Sequence, residues 1–129
     1  MMIGQKPFSL ANRFRSGLYA IRGIRVMLAT QHNAWIHAAA TVTVLFCGIA
    51  FGLTLSEWSL IVLATMGVWT AEALNTAFEF LTDVASPEVH PLAEKAKDVA
   101  AGAVLIAAAG AATIGLLVLG PHVWRLLGF

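Results

Sequence analysis

Three long runs of apolar residues dominate the hydrophobic pattern of the chain. They cover residues 34–53, 58–81 and 99–119. A helix needs about 20 mainly apolar residues to cross the hydrocarbon core of a bilayer, and each run reaches that length. The pattern therefore predicts an all-α membrane protein with three transmembrane helices, folded as a single domain over residues 1–129.

Apolar and basic residues are mixed ahead of the first run, at approximately helical spacing. Phe14 and Leu18 are interleaved there with Arg15 and Arg22. Such a pattern is typical of an amphipathic helix that lies in the membrane interface, with its arginines toward lipid headgroups or a phosphate ligand. We expect this surface helix at about residues 8–28.

Composition and charge agree with a membrane protein and give it an orientation. The chain is 59% hydrophobic and 12% charged, which is unlike a soluble globular domain. A chain mostly embedded in lipid has little surface left for a duplex, so we expect no nucleic-acid partner. Counted by linker, seven of the eight basic residues fall on the side of the N-terminus and the 82–98 linker, and Arg125 falls on the other. The positive-inside rule therefore predicts a cytoplasmic N-terminus and an outer C-terminus.

Polar residues interrupt the end of the second run. The stretch AEALNTAFEFLTD, residues 71–83, carries Glu72, Asn75, Glu79 and Asp83. At 100° per residue Glu79 and Asp83 each fall within roughly 20° of Glu72 around a helix, with the Asn75 amide about 60° to one side. A carboxylate deep in the membrane costs roughly 2.5–3.5 kcal/mol on insertion scales and marks a functional site by default. The stripe therefore predicts a site near the cytoplasmic end of this helix.

The segment after the stripe adds cations at the same depth. SPEVHPLAEKAKD, residues 86–98, includes His90, Lys95 and Lys97, and its Ser86–Glu88 portion is expected to begin a helix. Oxygen ligands for Mg²⁺, cations for a polyphosphate and a carboxylate beside an acceptor hydroxyl are what phosphoryl transfer requires. The chain has no GxxxxGK[ST] motif and no kinase glycine-rich loop, so a nucleotide site would be built from helix faces.

Two motifs in this region resemble a known family. ExxNTAxExxxD at residues 72–83 and HPLAEKAKD at residues 90–98 are similar to the signature of the small prokaryotic diacylglycerol kinases, a family that includes undecaprenol kinases. The resemblance extends over essentially the whole chain. It implies a homotrimer in the bacterial inner membrane, with active sites shared between subunits, that transfers the γ-phosphate of MgATP to a lipid hydroxyl. The run HPLAEKAKDVAAGAVLI is closer to the undecaprenol kinase branch, which favours undecaprenol over diacylglycerol as the substrate.

The resemblance also implies a role for individual residues. Glu72 resembles the family's catalytic carboxylate, Asn75 its polar companion, and Glu79 the carboxylate that binds Mg²⁺. Contacts to the nucleotide are implied for Tyr19, Glu79, Glu88, His90, Lys97 and Asp98, and contacts to the lipid for Arg25, Trp58 and Glu72.

One position departs from the family pattern. A second metal-binding Glu is expected just before the first apolar run, and Gln31 stands there. An amide can still bind Mg²⁺ through its carbonyl oxygen, but the site loses one negative charge and should bind the ion more weakly. A non-catalytic member of the family that acts in membrane assembly is therefore an alternative. An ion pathway is another, although the first and third runs offer no polar stripe to continue one.

Several polar residues have simpler interpretations. Asp83 is expected to be mainly structural, and Asp98 either contacts the nucleotide or caps the start of a helix. We expect His37 to hydrogen-bond across helices, and His32 and His122 to face solvent.

Overall fold

The computed structural model describes residues 9–128, and all regular structure in this range is helical. The helices are α1 (Leu10–Thr30), α2 (His32–Phe51), α3 (Leu55–Ala85) and α4 (Pro91–Leu126). Three of them, α2, α3 and α4, are long and apolar enough to cross a membrane. The predicted all-α fold, with three helices able to span a membrane, is confirmed within this range. The interfacial position of α1 and the homotrimer remain predictions.

A single residue separates α1 from α2. Ser9 caps the start of α1 through its hydroxyl, which accepts from the backbone N–H of Asn12 at 3.5 Å. Gln31 ends α1 and begins α2, with φ −107° and ψ 114° between the two helices. The predicted surface helix at 8–28 thus ends two residues too early, and residue 8 lies outside the described range. The sharp junction leaves the Gln31 side chain free to reach another helix.

The first apolar run ends as a helix two residues earlier than predicted. Gly52 adopts the left-handed conformation, with φ 64° and ψ 51°, and α2 closes at Phe51. Glycine is the residue that enters this conformation without steric cost, which makes it a common helix terminator. The chain leaves the helix here, and Leu53 turns into a buried cluster.

The predicted helix start at Ser86–Glu88 is wrong, because α4 begins at Pro91. The imidazole Nδ1 of His90 accepts from the backbone N–H of Leu92 at 3.2 Å and caps the helix. A helix that began four residues earlier would require a backbone N–H from Pro91, which has none. Asp98 consequently lies about two turns inside α4, so its predicted alternative role as a helix cap is also wrong.

The outer end predicted by the charge pattern is closed by a polar cluster. Thr54 and Glu57 form a capping box at the start of α3. The second carboxylate oxygen of Glu57, Oε1, lies 2.9 Å from Nε2 of His122 in α4. The His122 ring also stacks on Phe51 of α2, with 5.7 Å between the centroids. The prediction that His122 faces solvent is wrong, since its side chain is 14% exposed and joins three helices.

An apolar cluster packs beside these polar contacts. Leu53, Ile61 and Val118 are buried there, and Trp58 packs against them. The indole lies so close to Gly48 of α2 that an added Cβ would stand 2.6 Å from its Cη2 atom. These contacts therefore pack α2, α3 and α4 together at the end of α3 that lies farthest from Glu72.

Replacing Gly48 with Ala should lower the stability of the protein. The new methyl group would overlap the Trp58 indole, and overpacking of this kind costs about 1–3 kcal/mol. Thermal unfolding in detergent measures the change. Gly110→Ala in α4 is the control, because a Cβ there meets nothing within 4 Å. Equal melting temperatures for the two variants would contradict the close contact.

Candidate active site

Glu72 is a fully buried carboxylate in the middle of α3. Neither of its side-chain oxygens has a hydrogen-bond partner among residues 9–128. Burying a charged group without such partners is costly, so proteins retain one only where it does something. The environment of Glu72 therefore indicates a functional group rather than a packing residue.

The polar atom that faces this carboxylate comes from α2. His37 Nε2 lies 3.6 Å from Glu72 Oε2, within the range of an ion pair but beyond that of a hydrogen bond. Nε2 is itself buried and has no hydrogen-bond partner in the described part of the chain. His37 thus faces α3 as expected, but the predicted hydrogen bond across the helices is not formed by this atom.

Glu79 lies two turns farther along α3 and is held by two amides. Gln31 Nε2 donates to its Oε2 at 2.7 Å, and Asn75 Nδ2 donates to its Oε1 at 3.1 Å. The structure therefore brings Gln31, Asn75 and Glu79 into direct contact. Asn75 is only 6% exposed, and its own carbonyl oxygen has no partner among the described residues.

Glu72, Asn75 and His37 share a small cavity between the helices. Its volume is about 220 Å³, and the apolar part of its wall includes Ile36 of α2 and Val104 of α4. Water occupies roughly 30 Å³ per molecule in the liquid, so the cavity admits a few waters or a small alcohol group. It is too small for a nucleotide. The buried carboxylate thus borders a space that suits the end of a lipid chain.

An ion pair closes the other end of the carboxylate stripe. Lys97 in α4 donates to the Asp83 carboxylate in α3. The Lys97 side chain is 40% exposed and that of Asp83 is 62% exposed. Lys97 therefore lies at the same end of the bundle as Glu79, with its charge balanced by Asp83 in the single chain.

The other predicted site residues lie elsewhere on the chain. Tyr19, Arg25, Glu88, His90 and Asp98 are exposed, and the single chain does not bring them to Glu72. The guanidinium of Arg22 stands 5.8 Å from the centre of the Tyr19 ring. His90 caps α4, and the Glu88 backbone carbonyl accepts from the Ser86 hydroxyl. None of these positions contradicts a role in ligand binding.

Trp58 is also distant from the carboxylate site. It packs in the apolar cluster, fourteen residues before Glu72 along α3. At 1.5 Å per residue this separation is about 21 Å. A lipid that touched both residues would have to lie along nearly half of the helix.

The side chains around Glu79 suit a hard cation that brings ligands of its own. Among residues 9–128, no group of three or more His, Cys, Asp or Glu side chains could hold a metal ion. Glu79 supplies one carboxylate, and Gln31 and Asn75 supply amide groups. Mg²⁺ is commonly bound by one or two carboxylates together with substrate phosphates and water. The donor set therefore fits Mg²⁺ that is bound jointly with a nucleotide.

Two features of the structure were not predicted from the sequence. The Glu57 capping box has a detectable signal in the TLSE stretch at 54–57, but nothing in the sequence pairs it with His122. The contact between His37 and Glu72 joins residues 35 positions apart on different helices. A histidine within an apolar run was the only signal for it.

Comparison with known proteins identifies the family of the chain. The model of the prokaryotic diacylglycerol kinase family matches residues 18–119. The undecaprenol kinase of Bacillus subtilis (strain 168) is 44% identical over 108 residues, which cover 84% of this chain and 88% of that protein. A diacylglycerol kinase of Synechocystis sp. is 36% identical over 110 residues, covering 84% of this chain and 63% of that protein. One of Helicobacter pylori (strain 26695) is 35% identical over 80 residues, covering 57% and 62%.

A helical membrane protein with a buried carboxylate, an adjacent carboxylate–amide cluster and these relatives is a lipid kinase. The chain belongs to the prokaryotic diacylglycerol kinase family. It is accordingly a bacterial membrane protein, and its family implies ATP as the co-substrate.

Replacing Asp83 with Asn should change the free energy of unfolding by no more than about 1 kcal/mol. Exposed ion pairs contribute little because water and salt screen them, and both partners here are substantially exposed. Thermal unfolding of the wild type and the variant at low and high salt measures the difference. A larger loss that persisted at high salt would show that the pair with Lys97 is a buried structural link.

Proposed function

We propose that this kinase transfers the γ-phosphate of MgATP to the hydroxyl of a membrane lipid alcohol, with undecaprenol favoured over diacylglycerol. One observation carries the proposal: Asn75 borders the same cavity as a buried, unpartnered carboxylate and also belongs to a separate cluster suited to Mg²⁺. The amide nitrogen of Asn75 donates to Glu79. The side-chain carbonyl oxygen of Asn75 has no partner among the described residues, and the residue borders the cavity beside Glu72. The acceptor hydroxyl beside Glu72 and the Mg²⁺-bound phosphate beside Glu79 would therefore lie next to each other, with Asn75 between the two carboxylates.

The lipid would approach Glu72 from the membrane. The 220 Å³ cavity beside Glu72 is bordered by Ile36 and Leu105, which suit a hydrocarbon chain that ends in a hydroxyl. A wider apolar groove of about 900 Å³ runs between α3 and α4 and is also bordered by Asn75. An acceptor chain has room in this groove. The geometry therefore supports a lipid acceptor in preference to a water-soluble one.

Glu72 is the group available to take the proton of the acceptor. Its unpartnered oxygens can accept the hydroxyl hydrogen while the hydroxyl oxygen attacks the γ-phosphorus. The new oxygen–phosphorus bond forms, the bond to the β-phosphate oxygen breaks, and ADP leaves. A carboxylate that is not committed to another hydrogen bond suits this role.

Mg²⁺ would be held by Glu79 and by Gln31 through its side-chain carbonyl oxygen. When bound, the ion neutralises charge on the transferring phosphate. Tyr19 and Arg22 border a groove of about 480 Å³ between α1 and α3, which offers room for a nucleotide.

The exposed residues of the predicted site would contact ligands bound between subunits of a homotrimer. In a homotrimer with shared sites, they would reach the carboxylate cluster of a neighbouring subunit. The proposal keeps Tyr19, Glu88, His90, Lys97 and Asp98 as nucleotide contacts, and Arg25 and Trp58 as lipid contacts. It also keeps the cytoplasmic N-terminus and the outer C-terminus.

The preference for undecaprenol has its own support. The Bacillus subtilis undecaprenol kinase is 44% identical and is covered over 88% of its length, whereas the Synechocystis diacylglycerol kinase is 36% identical and covered over 63%. The long apolar groove accepts either chain by its chemistry. Substrate preference therefore rests on similarity.

A specific contact favours one alternative, a non-catalytic assembly protein. Both Glu79 oxygens are already occupied by the amides of Gln31 and Asn75, so the cluster is satisfied without a metal ion. A protein that had lost catalysis could retain this arrangement for stability. An ion pathway has no comparable observation in its favour.

The wild-type protein should phosphorylate undecaprenol faster than diacylglycerol, and Glu72→Gln should lower kcat by about 10²- to 10⁴-fold. That range is typical for the loss of a general base. The assay is ATP-dependent phosphorylation by purified protein in mixed micelles, with each lipid offered separately across a Mg²⁺ titration. Glu94→Gln in the exposed first turn of α4 is the matched control and should retain wild-type turnover.

The outcomes separate the possible functions. No phosphorylation of either lipid at any Mg²⁺ concentration, by protein that is folded and oligomeric, would contradict the kinase activity and leave the assembly role. Wild-type turnover in Glu72→Gln would overturn the role of the carboxylate. Faster phosphorylation of diacylglycerol would reverse the substrate preference alone.

Gln31→Glu should lower the Mg²⁺ concentration needed for half-maximal activity. It should also make stability depend on Mg²⁺, because the new carboxylate would replace an amide that donates to Glu79 at 2.7 Å. Two carboxylates at that distance repel each other unless a cation lies between them. Activity and thermal unfolding are measured in EDTA and across a Mg²⁺ titration.

Gln31→Met is the matched control, since it keeps the length of the side chain and removes its polar atoms. It should raise the Mg²⁺ requirement. If both variants showed the wild-type requirement, Gln31 would not be a ligand.

A further inference from the structure

We propose that His37 is a positioning residue for Glu72. In the working enzyme its Nε2–H donates to Glu72 Oε2, which leaves Oε1 to receive the proton of the acceptor hydroxyl. The inference rests on the proposed kinase function and assigns the two oxygens of the carboxylate to different tasks.

The first support is the pairing of unpartnered atoms. Both Glu72 oxygens and His37 Nε2 are buried without hydrogen bonds in the described part of the chain. His37 Nε2 and Glu72 Oε2 already stand 3.6 Å apart, so a shift of well under 1 Å brings these two atoms to hydrogen-bond distance. Leaving both groups unpaired would cost the desolvation of each, whereas one hydrogen bond partners both.

The second support is a set of contacts that hold the His37 ring in place. The indole of Trp69, one turn before Glu72 on α3, packs edge-on against it, with 6.5 Å between the ring centroids. Trp69 Nε1 donates to the Thr41 hydroxyl at 3.1 Å. That hydroxyl in turn donates to the backbone carbonyl of His37 at 2.7 Å. The two hydrogen bonds hold the Trp69 indole between α3 and α2, and the indole in turn packs against the His37 ring.

The third support is the lack of another built donor at the cavity. The amide nitrogen of Asn75 is committed to Glu79, and the α4 part of the wall is formed by alanine, valine and leucine side chains. Asn33 also borders the cavity, but it is exposed. Among the described residues, His37 is thus the buried donor that faces Glu72.

Holding one carboxylate oxygen has a direct kinetic consequence. A carboxylate that rotates freely presents its proton-accepting lone pairs to the hydroxyl only part of the time. A fixed donor removes that freedom, and small losses of alignment at a reacting group can cost about 10²-fold in rate. The contact should therefore affect kcat and leave the binding of ATP unchanged.

The test compares His37→Leu with His37→Gln. Leucine removes the donor, whereas glutamine places an amide N–H at nearly the same reach as Nε2. We expect His37→Leu to lower kcat by about 10- to 100-fold with KM for ATP within about twofold of the wild type, and His37→Gln to recover most of the loss. His32→Leu, the same substitution at an exposed position of α2, is the matched control and should retain wild-type kcat.

Either of two results overturns the inference. Wild-type kcat in His37→Leu would show that the contact is not used, and an equal loss in His37→Gln would show that packing, not donation, is what matters. Melting temperatures of all variants exclude losses that come from unfolding.

A second measurement does not depend on turnover. In protein labelled with ¹⁵N-histidine, the His37 Nε2 resonance is identified by its loss in His37→Gln. Glu72→Gln should shift this resonance, and an unshifted resonance would overturn the inference. If the wild type phosphorylates no lipid alcohol and the resonance still shifts, the proposed function fails while the contact that orients Glu72 is upheld.

Discussion

The buried carboxylate of Glu72 is the constraint on which the arrangement of the surrounding helices depends. Transfer of such a group into hydrocarbon is expensive, and Glu72 is fully buried without a hydrogen bond in the described part of the chain. The polar side chains around Glu72 lie close to its carboxylate without forming hydrogen bonds to it. Asn75 on the same helix leads to Glu79, and His37 faces it from α2. The site is therefore a carboxylate beside a cavity, with its oxygens free of hydrogen bonds from the described residues.

Because α3 is long, the packing contacts near its start lie far from the polar residues of the candidate site. This helix runs from Leu55 to Ala85, and its two ends have different tasks. Close packing of Trp58 on Gly48 and the contact between Glu57 and His122 bind the helices at one end. The polar residues Glu72, Asn75 and Glu79 cluster toward the other end, where Glu72 and Asn75 border a small cavity. Contacts at both ends of α3 therefore stabilise the bundle while Glu72 keeps unsatisfied polar atoms.

Gln31 shows how one junction residue connects fold and function. It is the single residue between α1 and α2, and its side chain holds Glu79 on α3. A glutamate at this position would bring a second negative charge and depend on a cation. The amide instead donates to Glu79 without a metal, and in the proposed Mg²⁺ site it would be a neutral ligand in place of a charged one. The two proposed functions, lipid kinase and non-catalytic assembly protein, differ in whether this site binds Mg²⁺ together with ATP.

Hydrophobic length and charge in the sequence were sufficient to determine three spanning helices and the position of the polar stripe on the second of them. Periodicity alone accounts for these features, since a bilayer accepts few other structures and residues on one helix keep a fixed angular spacing. Helix ends were less predictable: the start of α4 depended on the missing N–H of Pro91 and the cap from His90. Contacts between helices required the tertiary structure. The approach of His37 to Glu72, of Gln31 to Glu79 and of His122 to Glu57 joins residues 35, 48 and 65 positions apart, and packing alone brings such residues together, because no local pattern encodes which faces meet.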